Sequence, residues 1–324
     1  MRRNGKSLRA KRMLFSQPVV LFFLIILLTF VTGMINRNFL TWNNISSIIS
    51  KATSLGLVAA GVTILIISGH FDVSLGSMVG MTTCTMAILI NAGVNEWLVS
   101  LIGILICVAC SAINGAVSIA FKAPSFIVTL ATGSVYYGIA LLITKGYMQT
   151  LYGKYRFLAS YKLFGIIPFL FIVLFAGFLF VHLLLKYTRT GREVYAIGTN
   201  ENAAYLSGIN VKASKLKFFT INGILVGLGC MVMLSRVSAA QAPSGAGMEL
   251  QAIAAVVIGG SSINGGKGGV LGTFFGVILL SMISSIINML QVSTYYEDIV
   301  YGLIVIVALA ITAFRNHMME KQGN

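Results

Sequence analysis

The sequence predicts an all-α polytopic membrane protein, and three observations support that fold class. Hydrophobic residues make up 57% of the chain and charged residues only 10%, whereas about a quarter of the residues in a soluble domain are charged. Many apolar runs reach the roughly 20 residues that a helix needs to cross a bilayer. The runs are continuous rather than alternating, which argues against a β-barrel and favours helices that satisfy their own backbone hydrogen bonds in lipid.

About ten segments have the length and composition of transmembrane helices. They cover residues 14–35, 44–68, 74–92, 97–120, 124–144, 163–186, 216–237, 249–263, 270–290 and 297–314. The eighth is short for a full crossing, and Gly259 and Gly260 follow its apolar core directly, which predicts a broken or partial helix. Eight full spans with two re-entrant segments are the alternative.

The distribution of basic residues predicts that both termini are cytoplasmic. The net charge is +15, and lysine and arginine concentrate on the cytoplasmic side of membrane proteins. Residues 1–13 form a basic cytoplasmic segment ahead of an uncleaved first span, and an even number of spans returns the C-terminus to the same side. The basic loop 187–215 then lies inside. Residues 145–162 are predicted to lie outside although they carry four basic residues.

The whole chain, residues 1–324, is predicted to be a single membrane domain without catalytic or metal chemistry. No folded soluble face is left that would bind nucleic acid. Cys107 and Cys110 have a CxxC spacing that is known from redox and metal sites, but they lie inside a hydrophobic span, which favours a packing role. The three histidines are far apart in sequence, and no pairing of a nucleophile with a base is evident.

The first informative motif is SGHFDVSLGS, residues 68–77, which places Asp72 between two apolar spans. A carboxylate at the bilayer centre costs about 3 kcal/mol or more, so Asp72 is expected in a polar loop or in the bundle interior with a partner. The glycines around it predict a tight break between helices, and Ser74 can cap the next helix. Two interpretations stay open: a hinge at a path through the bundle or at a partner-facing surface, and an aspartate that caps a helix. His70 is expected at the membrane interface.

The second motif is VIGGSSINGGKGGVLGT, residues 257–273, which superficially resembles a phosphate-binding loop. A Walker A loop requires Gly-Lys followed by Ser or Thr, but Gly266-Lys267 is followed by Gly268. The first glycine of that pattern is replaced by Ser261. The sequence therefore predicts no nucleotide binding by this chain and a flexible, cytoplasmic, glycine-rich turn between two spans.

The third motif lies in the basic loop between residues 186 and 217. Residues 199–208 are predicted to form one short helix that Thr199 or Asn200 caps and that Gly208 ends in a left-handed turn. The segment also carries four apolar residues, Ala203, Ala204, Leu206 and Ile209. On a solvated loop such residues favour the groove of a partner protein. An ordinary loop held inside by its positive charge is the alternative.

Taken together, these stretches resemble the permease subunits of bacterial ABC importers for monosaccharides, the ribose-type group. The resemblance rests on SGHFDVSLGS, on GREVYAIGTNENAAYLSGI and on ELQAIAAVVIGGSSINGGKGGVLGT, and it extends over about residues 39–311. The chain departs from the pattern at His70, Thr199, Tyr205, Gln251 and Lys267. His70 replaces a glycine, and glycine adopts backbone dihedrals that histidine does not easily reach.

The resemblance implies a transport subunit without enzymatic activity in the bacterial cytoplasmic (inner) membrane. It implies a path for a monosaccharide, formed with a second permease chain that is identical or related. A cytoplasmic ABC ATPase would bind the short helix, and an extracytoplasmic sugar-binding protein would deliver the substrate. No cofactor is expected on this chain, because ATP and magnesium would bind the ATPase. A permease for another small solute (a nucleoside, a sugar-like signal or an amino acid) is the alternative, and an ion-coupled secondary carrier is less favoured.

Two sets of site residues follow from the resemblance. The predicted ATPase-docking residues are Gly191, Arg192, Ala196, Ile197, Gly198, Asn200, Ala203, Ala204, Leu206, Ser207, Gly208 and Ile209. The predicted pathway or hinge residues are Gly69, Asp72, Ser74, Gly76, Gly259, Gly260, Gly265, Gly266, Lys267, Gly268 and Gly272.

Overall fold

The computed structural model describes residues 17–165 and 167–291, together with residues 293, 296, 297, 299–303 and 306. The α-helices with defined bounds are α1 (Gln17–Ile35), α2 (Trp42–Ile67), α3 (Leu75–Asn91), α4 (Glu96–Ala120), α5 (Ser125–Thr144), α6 (Phe157–Ser160), α7 (Phe169–Tyr187), α8 (Arg189–Thr199), α9 (Glu201–Leu206), α10 (Val211–Val237), α11 (Met248–Ile258) and α12 (Val270–Met289). Two 3₁₀ turns cover Arg37–Leu40 and Ala242–Gly245. Four two-residue strands are β1 (Gln149–Thr150), β2 (Lys162–Leu163), β3 (Ile167–Pro168) and β4 (Ala239–Ala240).

Seven of the described helices are long and apolar enough to cross a membrane: α1, α2, α4, α5, α7, α10 and α12. Two further apolar helices, α3 and α11, are shorter. The predicted all-α polytopic class is therefore confirmed. The eighth predicted span, residues 249–263, contains a helix of only 11 residues that ends at Ile258, as the following glycines indicated. The tenth span, residues 297–314, and the basic segment 1–13 lie largely or wholly outside the described residues.

Helices α2 and α10 form the centre of the bundle, and both are buried along most of their length. Glycines allow α10 to approach α4 closely. A Cβ atom added at Gly223 would lie 2.6 Å from the carbonyl oxygen of Cys107, and one added at Gly227 would lie 2.6 Å from the Cα of Ile104. Small residues at such crossings let helix backbones pack tightly in a membrane. Helix α1 lies at the periphery, where Phe22 packs edge-to-face on Phe275 of α12.

Two short helices, α3 and α11, meet inside the bundle because each follows a non-helical segment. Residues 68–74 separate α2 from α3, and β4 with the turn Ala242–Gly245 precedes α11. A Cβ atom at Gly76 would collide with the Glu249 carboxylate and the Gly245 carbonyl, and one at Gly245 would lie 2.8 Å from Val79. Broken helices of this kind place backbone and polar groups in the interior of many transporters.

A compact segment covers the end of the bundle at which α5 and α10 finish. Strands β1 and β4 pair antiparallel, with Gln149 opposite Ala240 and Thr150 opposite Ala239. Tyr155 is fully buried beneath this segment, and its backbone N–H donates to Glu96 Oε1 at 3.0 Å. The basic residues of 145–162 are thus part of a folded cap that is joined to the C-terminal end of α10.

Candidate functional site

Helices α8 and α9 form a polar element at the opposite end of the bundle. The Thr188 hydroxyl accepts a hydrogen bond from Gly191 N at 3.2 Å and caps α8. Asn200 Oδ1 accepts from Ala203 N at 3.0 Å and caps α9. Gly208 then adopts the left-handed φ of +83°. The predicted capped helix is confirmed with Asn200 as its cap, whereas Thr199 is the last residue of α8.

Helix α8 itself was missed at the sequence level. Its signal is the spacing of Gly191, Val194 and Ile197, which recur every three residues and are all buried on one face. That face packs against the ends of α2 and α7 and the start of α10. The element is therefore a pair of short helices attached to the bundle rather than a single helix on a free loop.

Burial divides the predicted docking residues into three groups. The exposed ones are Arg192, Asn200, Ala203, Leu206, Ser207 and Gly208; the half-buried ones are Ala196, Gly198 and Ile209; the buried ones are Gly191, Ile197 and Ala204. Ala204 is only 4% exposed because it packs into the chain's own core, so its expected role in a partner's groove is contradicted. Leu206 is 84% exposed and Tyr205 is 70% exposed, which leaves these two side chains facing outwards.

A buried carboxylate, Glu193, fixes α8 to α10. Its oxygens accept hydrogen bonds from Arg189 Nε at 3.1 Å, from Lys217 Nζ at 3.1 Å and from Ser214 Oγ at 3.0 Å. Burial by itself would raise the pKa of Glu193, but the hydrogen bonds from Lys217 and Ser214 and the charges of Lys217 and Arg189 outweigh burial. The pKa is lowered from its usual value of 4.5.

The lowered pKa of Glu193 predicts a dependence of stability on pH. Its contribution to stability is fully present above about pH 4.5 and is lost as the pH falls towards the folded-state pKa, because the unfolded chain takes up the proton first. We expect Glu193→Gln to lower the free energy of unfolding by about 1–2 kcal/mol at neutral pH. We also expect the variant to lose less stability than the wild type between about pH 5 and pH 3, a range that begins just above the usual pKa of 4.5 and extends towards the lowered folded-state pKa.

Unfolding of the purified chain followed by tryptophan fluorescence over this pH range tests the role of Glu193. Glu201→Gln removes an exposed carboxylate from the same element and is the matched control. Equal acid sensitivity of the wild type and Glu193→Gln would contradict the role assigned to this ion-pair cluster.

The glycine-rich loop 259–269 packs against the ends of α2 and α8. Gly266 N donates to the carbonyl of Ile67 at 2.8 Å, and Tyr195 OH donates to the carbonyl of Gly268 at 3.0 Å. Gly265, Gly266 and Gly268 have φ values of +80°, +72° and +148°. Residues with a Cβ atom rarely adopt such positive φ values, so glycine is favoured at these positions. The expectation of a flexible turn is thus corrected, because one backbone and one side-chain hydrogen bond hold the loop against α2 and α8. Lys267 is exposed.

The three sequence motifs converge at one place, which we call the glycine junction: Gly69, Gly198, Gly265 and Gly266. A Cβ atom at Gly265 would lie 2.7 Å from the Gly198 carbonyl oxygen and 3.2 Å from Gly69 Cα. One at Gly69 would lie 4.0 Å from Gly198 Cα. The end of α8, the break after α2 and the loop before α12 therefore touch through their backbones.

A second close backbone crossing lies next to the junction. A Cβ atom at Gly272, in the first turn of α12, would collide with the Gly259 carbonyl, and one at Gly259 would lie 2.5 Å from Thr273 N. Gly260 ends the partial helix α11 with a φ of +95°. These predicted hinge residues pack the end of α11 on the start of α12.

Asp72 is the centre of a buried polar network. It is 1% exposed and accepts hydrogen bonds from Ser74 N at 3.0 Å, Ser74 Oγ at 2.6 Å and Asn222 Nδ2 at 3.4 Å. Asn114 Nδ2 lies 3.5 Å from both carboxylate oxygens and donates to Ser74 Oγ at 2.8 Å. Tyr136 OH donates to Asn114 Oδ1 at 2.9 Å. The network links the break before α3 with α4, α5 and α10.

Of the two locations expected for Asp72, a polar loop and the bundle interior, this network favours the interior. The residue lies in the bundle interior with partners, and it also stabilises the start of α3 by accepting from Ser74 N. Ser74 occupies the N-cap position, but its hydroxyl makes no capping bond and donates to Asp72 instead. Asn114 and Asn222 were missed; their signal was an amide side chain in the middle of an apolar span.

His70 lies in the connection between α2 and α3, outside the spanning helices. It is 7% exposed and stacks on Phe219 with a centroid distance of 6.3 Å, so its imidazole is enclosed by the protein. The left-handed φ of +78° falls on Gly69, and His70 is absent from the positive-φ residues. The histidine therefore fits the local backbone. Burial and then the charge of Lys215 lower the pKa of His70 from 6.5 to about 4, against a smaller opposing effect of the Gly69 backbone.

In the part of the chain that the structure describes, seven helices able to cross a membrane, two broken helices and a buried polar network define a multi-pass membrane protein of the transport class. The family is shown by comparison with known proteins. The family profile described as "Branched-chain amino acid transport system / permease component" matches residues 44–309, and the chain belongs to this family. Its members are transport components rather than enzymes.

Several characterised permeases are similar to the chain over most of its length. It is 34% identical over 289 residues to the ribose import permease protein of Bacillus subtilis (strain 168), which covers 88% of this chain and 89% of that protein. It is 34% identical over 296 residues to the D-allose transport system permease protein of Escherichia coli (strain K12), 90% of each chain. The autoinducer 2 import system permease protein of Escherichia coli O9:H4 (strain HS) is 32% identical over 288 residues, 88% of this chain and 83% of that one. No solved structure matches the chain.

Proposed function

We propose that the chain is the permease subunit of an ABC importer that carries a monosaccharide across the bacterial cytoplasmic (inner) membrane. The glycine junction is the observation that supports this function best. It joins α8 and α9, which carry solvent-exposed side chains, to the helix break that lies beside the buried polar network. Relatives that import ribose and allose favour a simple sugar as the substrate. Membership of the family implies an ATPase and a substrate-binding protein as partners.

In this proposal ATP and magnesium act on the separate ATPase, and the permease converts that chain's movement into opening of the path. The ATPase binds α8 and α9 on the cytoplasmic side. The Glu193 cluster and the glycine junction transmit the displacement of α8 to α2, α10 and residues 68–74. A second permease chain, identical or related, completes the path, and an extracytoplasmic sugar-binding protein delivers the substrate. Two packings of the bundle that nucleotide favours unequally are sufficient for alternating access.

Uptake by the reconstituted complex tests the proposed function. We expect labelled ribose or allose to accumulate in proteoliposomes that contain the permease, the ATPase and the binding protein only when ATP is supplied to the side of the ATPase. Uptake that continues without ATP but in the presence of a proton gradient would contradict the proposal and favour a secondary carrier. Competition by a nucleoside, autoinducer 2 or a branched-chain amino acid identifies another solute as the substrate.

The exposed apolar side chain of Leu206 provides a direct test of the docking surface. We expect Leu206→Arg to reduce co-purification of the ATPase at least about tenfold, because an apolar anchor of this size contributes 1.5–3 kcal/mol when it is buried in a groove. The fold should be unaffected because the side chain is 84% exposed. The measurement is the amount of ATPase that co-purifies with the tagged permease from membranes.

Tyr147→Arg is the matched control for Leu206→Arg, because Tyr147 is also exposed but follows α5 at the opposite end of the bundle. Ala204→Arg is unsuitable as a docking variant, since a charge at this buried position destabilises the permease itself. Normal recovery of the ATPase with Leu206→Arg would remove α9 from the docking surface.

A further inference from the structure

A non-helical segment, residues 238–247, enters the bundle between α10 and α11. Its first part, β4, pairs with β1 at the end of the bundle where α10 finishes. Its second part, the turn Ala242–Gly245, follows α3 in the opposite direction. A Cβ atom added at Gly80 would collide with the carbonyl of the first residue of this turn, and one at Gly76 with the carbonyl of its last residue. The segment therefore descends along α3 before α11 begins.

The lower end of this segment lies near the middle of the bundle. From Gly76 to Asn91, which contacts the cap, α3 rises about 22 Å at about 1.5 Å per residue. The Glu249 carboxylate lies against Gly76, and from Glu249 to its last residue α11 rises about 14 Å towards the opposite end. Helix α11 follows the spanning helix α12, since a Cβ atom at Gly276 would collide with the carbonyl of Ala255. Both distances place Glu249 inside a hydrocarbon core of about 30 Å.

Several side chains of this segment are not covered by the described part of the chain. Gln241 is exposed, Leu250 is 58% exposed, and Ser244 and Glu249 are half-buried. Non-helical backbone and ionisable side chains at membrane depth do not face lipid; they are buried in protein or line a water-filled cavity. The open side of the segment therefore faces either another protein chain or water. An amide and a carboxylate on the same open side favour water.

We infer that residues 241–251 line the solute path and that Gln241 and Glu249 bind the hydroxyl groups of the sugar. Each hydroxyl group both donates and accepts hydrogen bonds, which suits an amide that does both and a carboxylate that accepts. The Asp72 network is closed to solvent, whereas the side chains of this segment are open to it. The inference rests on the proposed function, because it requires a solute that crosses the membrane, and it names the side chains that this solute meets.

Cysteine accessibility in the reconstituted complex tests whether the segment lies in water. Gln241→Cys is treated during ATP turnover with a charged, water-soluble methanethiosulfonate. We expect it to react at least about tenfold faster than Leu27→Cys, because a thiol in apolar surroundings forms little thiolate. Leu27 is the matched control, since it is 57% exposed in the middle of the peripheral apolar helix α1. The wild-type chain gives the background, because its own cysteines are all buried: Cys84, Cys107, Cys110 and Cys230.

Glu249→Gln tests the contact with the sugar, because it keeps the shape of the side chain and removes the charge. We expect ribose uptake per ATP hydrolysed to fall about tenfold, and Glu249→Asp to recover part of it. The reactivity of Gln241→Cys should be the same with and without Glu249→Gln, whereas a merely structural role of Glu249 would change it. Unchanged uptake by Glu249→Gln would overturn the role of this carboxylate.

The labelling of Gln241→Cys also separates this inference from the proposed function. Labelling as slow as that of Leu27→Cys, in a complex that transports ribose, would overturn the inference and leave the proposed function intact. A disulfide between two copies of Gln241→Cys without labelling by the reagent would assign the segment to an interface between chains, and would also overturn it. Fast labelling in a complex whose uptake does not require ATP would support the water-filled path and contradict the ABC mechanism.

Discussion

Replacing Asp72 with alanine is expected to abolish uptake and to lower the free energy of unfolding by about 3–5 kcal/mol. The carboxylate accepts from the backbone and hydroxyl of Ser74 and from the amides of Asn114 and Asn222. Its removal leaves the backbone N–H and hydroxyl of Ser74 buried without this acceptor, while the amides of Asn114 and Asn222 keep only the hydroxyls of Ser74 and Ser111. Because Asn114 and Asn222 lie in α4 and α10, the loss separates the break before α3 from the two helices that hold it.

The measurement is thermal unfolding of the purified variant together with ATP-dependent uptake by the reconstituted complex. Asp72→Asn keeps one acceptor oxygen and is expected to lose less stability than Asp72→Ala. Ser74→Ala removes one donor while the carboxylate keeps its remaining partners, and we expect a loss of only about 1 kcal/mol. Normal stability of Asp72→Ala would mean that the network is unimportant for the fold.

A double-mutant cycle between Asp72 and Asn222 separates the contact from the effects of the single changes. The two residues are 150 positions apart in sequence, and their contact at 3.4 Å joins the broken helix directly to α10. If this contact stabilises the bundle, Asn222→Ala should cost much less in the Asp72→Ala background than in the wild type. Additive losses would show that the two residues act independently.

Composition and hydropathy were sufficient to predict the fold class and most helix positions. Seven predicted spans coincide with long apolar helices because a helix in lipid must be continuous and apolar over about 20 residues. The break after Ile258 was also predictable, because Gly260 requires a left-handed backbone. Helix length, apolar composition and glycine turns depend on residues that are close in sequence, so they can be predicted from the sequence alone.

Contacts between distant segments were not predictable from one sequence. The glycine junction brings together residues 69, 198 and 265, and nothing in the spacing of these residues indicates that their backbones touch. The same limit applied to Ala204. Its side chain was predicted to face a partner protein but is buried in the bundle, because the position of α8 was not known from the sequence. The amides of Asn114 and Asn222 were visible in the sequence, but their common partner Asp72 was not.

The contacts of the glycine junction predict that Gly198→Ala prevents coupling between the ATPase and transport. A Cβ atom at this position would collide with the carbonyl of Ile67 and lie 2.7 Å from Gly266 N. Both are backbone atoms of other segments, so no side-chain rotation relieves the contact. We expect a loss of about 3 kcal/mol in the free energy of unfolding, at the upper end for overpacked sites, although alanine favours the helical conformation of α8 more than glycine does.

Gly138→Ala is the matched control for Gly198→Ala, because Gly138 is also helical and a Cβ atom there meets nothing within 4 Å. We expect this control to retain wild-type stability and uptake. For Gly198→Ala, ATP hydrolysis by the assembled complex should continue while uptake is lost, since the proposed docking surface on the exposed side of α9 is unchanged but α8 no longer packs against α2. Full uptake by Gly198→Ala would mean that α8 moves independently of the break after α2, and the transmission path proposed here would then be wrong.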